Sequence, residues 1–268
     1  MRATVIGCAG SFAAPTGAAS SYLIEHEDAA GRTWRVLVDL GSGAFGPLQQ
    51  VMDPALLDAV VISHLHADHY LDLTGLEVFW AYNARRDLPQ LPVHAPAELP
   101  ERLRAIMGRD CDVPDGAGSV PFSHTALRDG VAFRIGPMSF LPRLVEHPVE
   151  AYGLRIEAEG EVLAYSGDSD VCPNLDELAA DADLFLCEAG YIEGRDDHFS
   201  GVHLTGLRAG RTAARVGVRR LVLTHIPAWT DPAIPLAEAR SAYDGPLELA
   251  APMAILEAAA HPALQQNS

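Results

Sequence analysis

The sequence predicts an α/β fold of two β-sheets packed face to face, with helices on both outer surfaces. Three observations predict it. Each half of the chain opens on strands and then alternates helices with strands. The 268 residues are 49% hydrophobic and 21% charged, the balance of a folded globular chain. No linker or repeat interrupts the order, so residues 1–262 read as a single domain, with 263–268 as a frayed tail.

"ATVIG" is the first strand, ended by the loop "CAGSFAAPTGAAS". "SSYLIEH" and "TWRVLVDLG" follow as strands joined by "EDAAGR", an order that suggests adjacent antiparallel pairing. "AFGPLQQVM" is a short helix and "LDAVVIS" a buried strand. "LDLTGLEVFWAYNARR" carries apolar residues at helical spacing, so a helix comes next. Between 88 and 120, "LPVHAPA" reads as a short strand, "ELPERLRAIMGR" as a helix and "DCDVPDGAGS" as a surface loop. From Ala126 the strands "VAFRIG", "MSFLPRLVEH", "AYGLRIEAEG" and "EVLAYSGD" follow. The rest alternates: helix "NLDELAAD", strand "ADLFLCEAG", helix "TGLRAGRTAARVG", strand "VRRLVLTH", helix "PLAEARSAY", strand "GPLELAA".

Composition limits the partners. The net charge is −17, and the chain has no lysine, so all 19 basic residues are arginine. Nucleic-acid affinity comes largely from neutralising phosphates with Lys and Arg, so a large RNA or DNA partner is disfavoured. A small anion held by metals is not, because a bound dication reverses the local field. Cys8, Cys111, Cys172 and Cys187 show no CxxC spacing, which argues against a zinc ribbon or redox motif and fits reduced thiols. The N-terminal apolar run is too short for a signal-peptide core, and no stretch is long enough to cross a bilayer. A cytoplasmic protein without a membrane partner is expected.

"SHLHADHYLDL" concentrates the chemistry. His64, His66, Asp68 and His69 fall where a strand gives way to a helix. Four ligands in six residues crowd a single tetrahedral ion, so two divalent metals are implied. Imidazole and carboxylate suit zinc, with manganese or iron also compatible. Two metals need further ligands, each expected at a strand's carboxyl end. His147 in "FLPRLVEHP", Asp168 in "VLAYSGDSD" and His225 in "RLVLTHIP" fill those places. Asp168 is the choice for a bridging carboxylate, since two cations need a shared anion.

HxHxDH with a later His, a "GD" Asp and a final His resembles the metallo-β-lactamase-fold hydrolases, over about Arg2 to Pro252. The resemblance implies a four-layer αβ/βα sandwich. It also implies that His64, His66 and His147 hold one metal, that Asp68, His69 and His225 hold the other, and that Asp168 bridges.

The ligands do not choose among lactams, lactones, thioesters and phosphodiesters. "HLT" at His203–Thr205, where Thr205 suits a helix N-cap, resembles the HxT element of the ribonuclease Z-like phosphodiesterase branch. There the His contacts the scissile phosphate or assists the leaving group. "VIGCAGS", "SSYLI" and "VDLGSG" also resemble that branch, and "SHLHADH", "PRLVEHP", "LAYSGD", "FLCEA" and "LTHIPAWT" are similar to its compact actinobacterial members, related to atypical cyclic-nucleotide phosphodiesterases. The Gly- and Lys-rich arm with which ribonuclease Z grips tRNA is absent from the sequence.

The favoured reading is therefore a phosphodiesterase for a small substrate such as a cyclic nucleotide, cleaved by a metal-activated hydroxide. Asp68 orients the hydroxide or takes its proton, and His203 and Thr205 contact the substrate. Arg208, Arg211, Arg215, Arg219 and Arg220 read as a solvated helix face rather than an RNA patch. Trp229 could stack on a base, but packing is the favoured role. A tRNA 3′-end endonuclease, a lactone or thioester hydrolase, and a metal-binding scaffold without turnover are the alternatives. A homodimer fits the resemblance.

Overall fold

Strand-end signals and apolar alternation become two sheets in the computed structural model, which describes residues 1–82, 88–108 and 121–258. In chain order the first half forms β1 (Arg2–Gly10), β2 (Ala18–Ala19), β3 (Ser21–Glu27), β4 (Thr33–Val38), α1 (Phe45–Val51), β5 (Ala59–Val61), α2 (Ala67–Tyr70), α3 (Leu73–Tyr82), β6 (Leu91–Ala95), α4 (Leu99–Ile106) and β7 (Phe122–Ala126). The second half forms β8 (Phe133–Ile135), β9 (Met138–Leu144), β10 (Tyr152–Ala158), β11 (Glu161–Tyr165), α5 (Pro173–Ala179), β12 (Leu184–Glu188), α6 (Gly206–Arg215), β13 (Leu221–Thr224), β14 (Ile226–Pro227), α7 (Ala233–Arg240), β15 (Leu247–Leu249) and β16 (Ile255–Glu257).

One sheet runs β14-β1-β3-β4-β5-β6-β7, with β2 and β16 also paired to β1; the other runs β15-β13-β12-β11-β10-β9-β8. Each begins as an antiparallel meander and continues as parallel strands joined through helices.

Side-chain alternation separates the layers. On β4, Val36 and Val38 enter the core between the sheets, while Leu37 faces the helices of the first half. On β12, Leu184 and Leu186 enter the same central core, while Phe185 and Cys187 meet the helices of the second half. Leu73 and Leu76 of α3 cover one outer face, and Ala209 and Ala213 of α6 with Ala239 of α7 cover the other. Three apolar cores between four layers give the αβ/βα sandwich that the resemblance implied.

Several elements differ from expectation. β7 lies where no strand was read, and β2, β14 and β16 are short additions to β1. β14 and β16 bring late chain back into the first sheet, so the two halves interlock instead of forming one sheet each. The strand expected to reach His147 stops at Leu144. The loop expected over "DCDVPDGAGS", the end of the helix in "NARR", and the tail at 263–268 lie outside the described residues.

Candidate metal centre

The ligands gather where strands of both sheets end. β9, β11, β12 and β13 point the same way, so their carboxyl ends share one edge. The backbone amide of Tyr152 donates to the Ser63 carbonyl at 3.0 Å and His64 bridges to Ala151, which brings the end of β5 to that edge. His66 keeps extended backbone as the residue before α2, and Asp68 and His69 lie within that helix. Asp168 follows Gly167, whose φ of +58° puts the chain in the left-handed region. His225, with φ +55°, is the single residue between β13 in one sheet and β14 in the other.

Two donor sets result. His64, His66, His147 and Asp168 form one, and Asp68, His69, Asp168 and His225 form the other; within each set the donor atoms lie within 4.8 Å of one another. Asp168 belongs to both. Its Oδ2 is 3.6 Å from His64 Nε2 and 3.3 Å from His225 Nε2, and its Oδ1 is 3.2 Å from His69 Nε2.

The hydrogen-bond pattern tests whether cations fit. His147 Nδ1 donates to the Val202 carbonyl at 2.8 Å, which leaves Nε2 without a hydrogen. The Ser63 hydroxyl donates to Asp39 at 2.8 Å, so it accepts from His64 Nδ1 at 3.1 Å and His64 Nε2 is bare as well. Both bare nitrogens face His66 Nδ1 at 3.1 Å. One ring nitrogen can satisfy at most one of them, whereas a cation satisfies all three. A tetrahedron with Zn–N bonds of about 2.0–2.1 Å has edges of roughly 3.3 Å, close to these separations. In the second set, buried His69 Nε2 and Asp168 Oδ1 have no hydrogen-bond partner. The donors fit two divalent cations sharing Asp168.

For the imidazoles of the first set, electrostatics agree. Burial, reinforced by the neighbouring imidazoles, pushes the pKa of His64 well down and lowers His66 and His147, favouring the neutral rings that ligate metals. Burial works against an ionised Asp68, but the hydrogen bond from His225 and the nearby His69 outweigh it and bring the carboxyl to about 2.

Two acids escaped the sequence reading. Asp39, fully buried after β4 with φ +58°, accepts from Ser63 N at 2.7 Å, Ser63 Oγ at 2.8 Å, Tyr165 OH at 2.8 Å and His69 Nδ1 at 2.7 Å. It therefore turns His69 Nε2 toward the second donor set. Glu188, fully buried at the end of β12, accepts from Ser169 N at 2.6 Å and His203 Nδ1 at 3.0 Å. Each ends an apolar strand, the same signal that marked the ligands.

His203 lies beside both sets, with Nδ1 3.9 Å from Asp168 Oδ2 and its ring 5.3 Å from that of His225. Burial disfavours its charged form, but Glu188 outweighs burial and lifts its pKa to about 9. Thr205 is buried; its hydroxyl accepts from Arg208 N at 3.2 Å, capping α6, and donates to Glu193 at 2.7 Å. Trp229 is 62% exposed and paired with Phe12, so the packing role favoured for it does not hold.

The β-lactamase superfamily domain profile matches residues 34–226. The chain belongs to the metallo-β-lactamase superfamily. The Mycobacterium tuberculosis protein Rv1339 is 41% identical over 249 residues, covering 92% of this chain and 88% of its own. Ribonuclease Z of Mycobacterium marinum is 30% identical over 250 residues, covering 84% of this chain and 86% of that one. The crystal structure of the metallo-β-lactamase fold protein YhfI from Bacillus subtilis superposes with a TM-score of 0.80 at 26% identity, covering 96% of this chain and 99% of that one. Superfamily membership and the two donor sets support a metal-dependent hydrolase. Among the described residues, no helix is long and apolar enough to cross a membrane.

Proposed function

We propose that this hydrolase is a phosphodiesterase for a small substrate such as a cyclic nucleotide. The observation that carries the reading is His203, held on buried Glu188 beside the carboxylate shared by both donor sets. Two divalent ions, most simply zinc, would supply an activated water and offset the negative charge of a phosphodiester. Asp68 accepts the water's proton. His203 gives a proton to, or hydrogen-bonds, the leaving oxygen, and Glu188 fixes the ring that does so. Thr205 positions the loop that carries His203, because its hydroxyl is already engaged.

A small substrate is favoured over a large nucleic acid. Arg208 pairs with Asp170 at 3.0 Å, Arg215 with Asp176 at 2.9 Å, Arg219 with Asp183 at 2.6 Å and Arg220 with Glu248 at 2.6 Å. These guanidinium groups are neutralised within the chain, on a protein of net charge −17. A cytoplasmic location, expected from the sequence, is part of the same proposal.

The test uses purified protein with zinc or manganese on 2′,3′- and 3′,5′-cyclic nucleotides and bis(p-nitrophenyl) phosphate. Turnover that needs metal and disappears in His66→Ala supports the reading. No cleavage of any phosphodiester, alongside clear lactone or thioester hydrolysis, refutes it. The 30% identity with a ribonuclease Z favours a second reading, tRNA 3′-end cleavage. Precursor-tRNA cleavage at two salt concentrations decides that, since genuine RNA binding weakens steeply with salt.

A further inference from the structure

Phe12 and Trp229 are 45% and 62% exposed, yet their rings lie 5.2 Å apart at 47°. Large aromatics left in water beside each other mark a contact surface. Both are anchored to the second donor set. Phe12 follows Ser11, whose backbone amide is 3.5 Å from His225 Nε2 and whose φ is +66°. Phe12 N also donates to the Gly10 carbonyl at 2.8 Å, closing a tight turn. Trp229 lies four residues beyond His225, in a turn closed by Thr230 N donating to the Pro227 carbonyl at 2.9 Å. Pairing of Gly10 with Pro227 locks the two turns side by side. A Cβ on Gly10 would sit 2.4 Å from the His225 carbonyl, so this contact admits only glycine without a shift of backbone.

We infer that Phe12 and Trp229 form the stacking surface for the flat heterocycle of a substrate whose phosphate lies at the metal centre. The ligand class is therefore a nucleotide. The inference rests on the phosphodiesterase reading and adds to it the part of the substrate that does not react. Stacking of a base on exposed aromatic rings is tolerant of base identity and strengthens binding by about 5- to 150-fold. Ring contact demands neither a hydrogen bond nor a positive charge, which suits a chain of net charge −17.

Calorimetric titration of the metal-loaded protein with adenosine 5′-monophosphate and with ribose 5-phosphate tests it. Wild type should prefer the nucleotide by more than about fivefold. The ratio should fall toward one in Phe12→Ala and Trp229→Ala and recover in Trp229→Phe, with melting temperature and metal content monitored in each. Equal binding of both probes by wild type, or a preference that survives both alanine variants, overturns the inference while leaving the phosphodiesterase reading standing. If neither probe binds and no phosphodiester is cleaved, both fall together. Sedimentation of the same samples adds a further outcome. A wild-type dimer that becomes monomeric in the alanine variants would mean that the rings face a second copy of the chain, and would overturn the inference.

Discussion

Asp39 accepts a hydrogen bond from Nδ1 of His69 at 2.7 Å, and both side chains are fully buried. The carboxylate fixes which ring nitrogen of His69 is bare and where it points. Asp39→Asn would set an amide N–H against one of four donors. Affinity for the second metal should fall about 10- to 100-fold. The apoprotein should lose about 1–3 kcal/mol, because a buried donor is left unpaired. Competition with a chromogenic chelator and urea denaturation with metal removed measure the two effects separately.

Glu188→Gln should leave both metals bound and lower kcat by about 10²-fold. Glutamine keeps an acceptor but removes the charge that favours protonated His203. Metal analysis beside steady-state kinetics decides the role of Glu188. A loss of metal would make it a ligand, since with His203 and His225 it forms a third cluster of donors.

Gly41→Ala should cost the protein one metal equivalent. A Cβ at Gly41 would sit 1.9 Å from the backbone oxygen of Asp68, so α2 must move and carry Asp68 and His69 with it. Gly46→Ala, where a Cβ would meet nothing within 4 Å, is the matched control and should bind both ions. Elemental analysis of the two proteins, with circular dichroism to check folding, gives the comparison.

Thr205→Ala should destabilise the fold by about 0.5–2 kcal/mol through loss of the α6 cap. The same change removes the donor to Glu193 and loosens the segment that carries His203. A lower urea midpoint with unchanged metal content is the expected outcome. Thr205→Ser should restore most of the loss, because serine caps a helix equally well.

The metal ligands were legible because each follows an apolar run, and an ionisable residue there has no place in a packed core. The sandwich was legible for the same reason: β4 and β12 alternate faithfully between two cores. Asp39 and Glu188 carry that signal too, but an acid two residues before a glycine also reads as an ordinary turn. β14 was hidden because it has two residues, one of them proline, and exists only through pairing with β1. β16 was hidden because Ile255 is exposed and its partners lie at the other end of the chain. Contact of Trp229 with Phe12 depends on two turns meeting, which no local pattern encodes.

His225 stands where the chain leaves one sheet for the other, and this sets an order of assembly during synthesis. A growing chain holds all four residues of the first donor set once residue 168 has emerged, and the Val202 carbonyl that orients His147 follows. The second set waits for residue 225, the last of the seven ligands. Residue 225 is followed at once by β14, and later by β16, which closes onto β1. One ion can thus be captured by a nascent chain still on the ribosome, while the other is admitted only as the newest segment is stitched back onto the oldest.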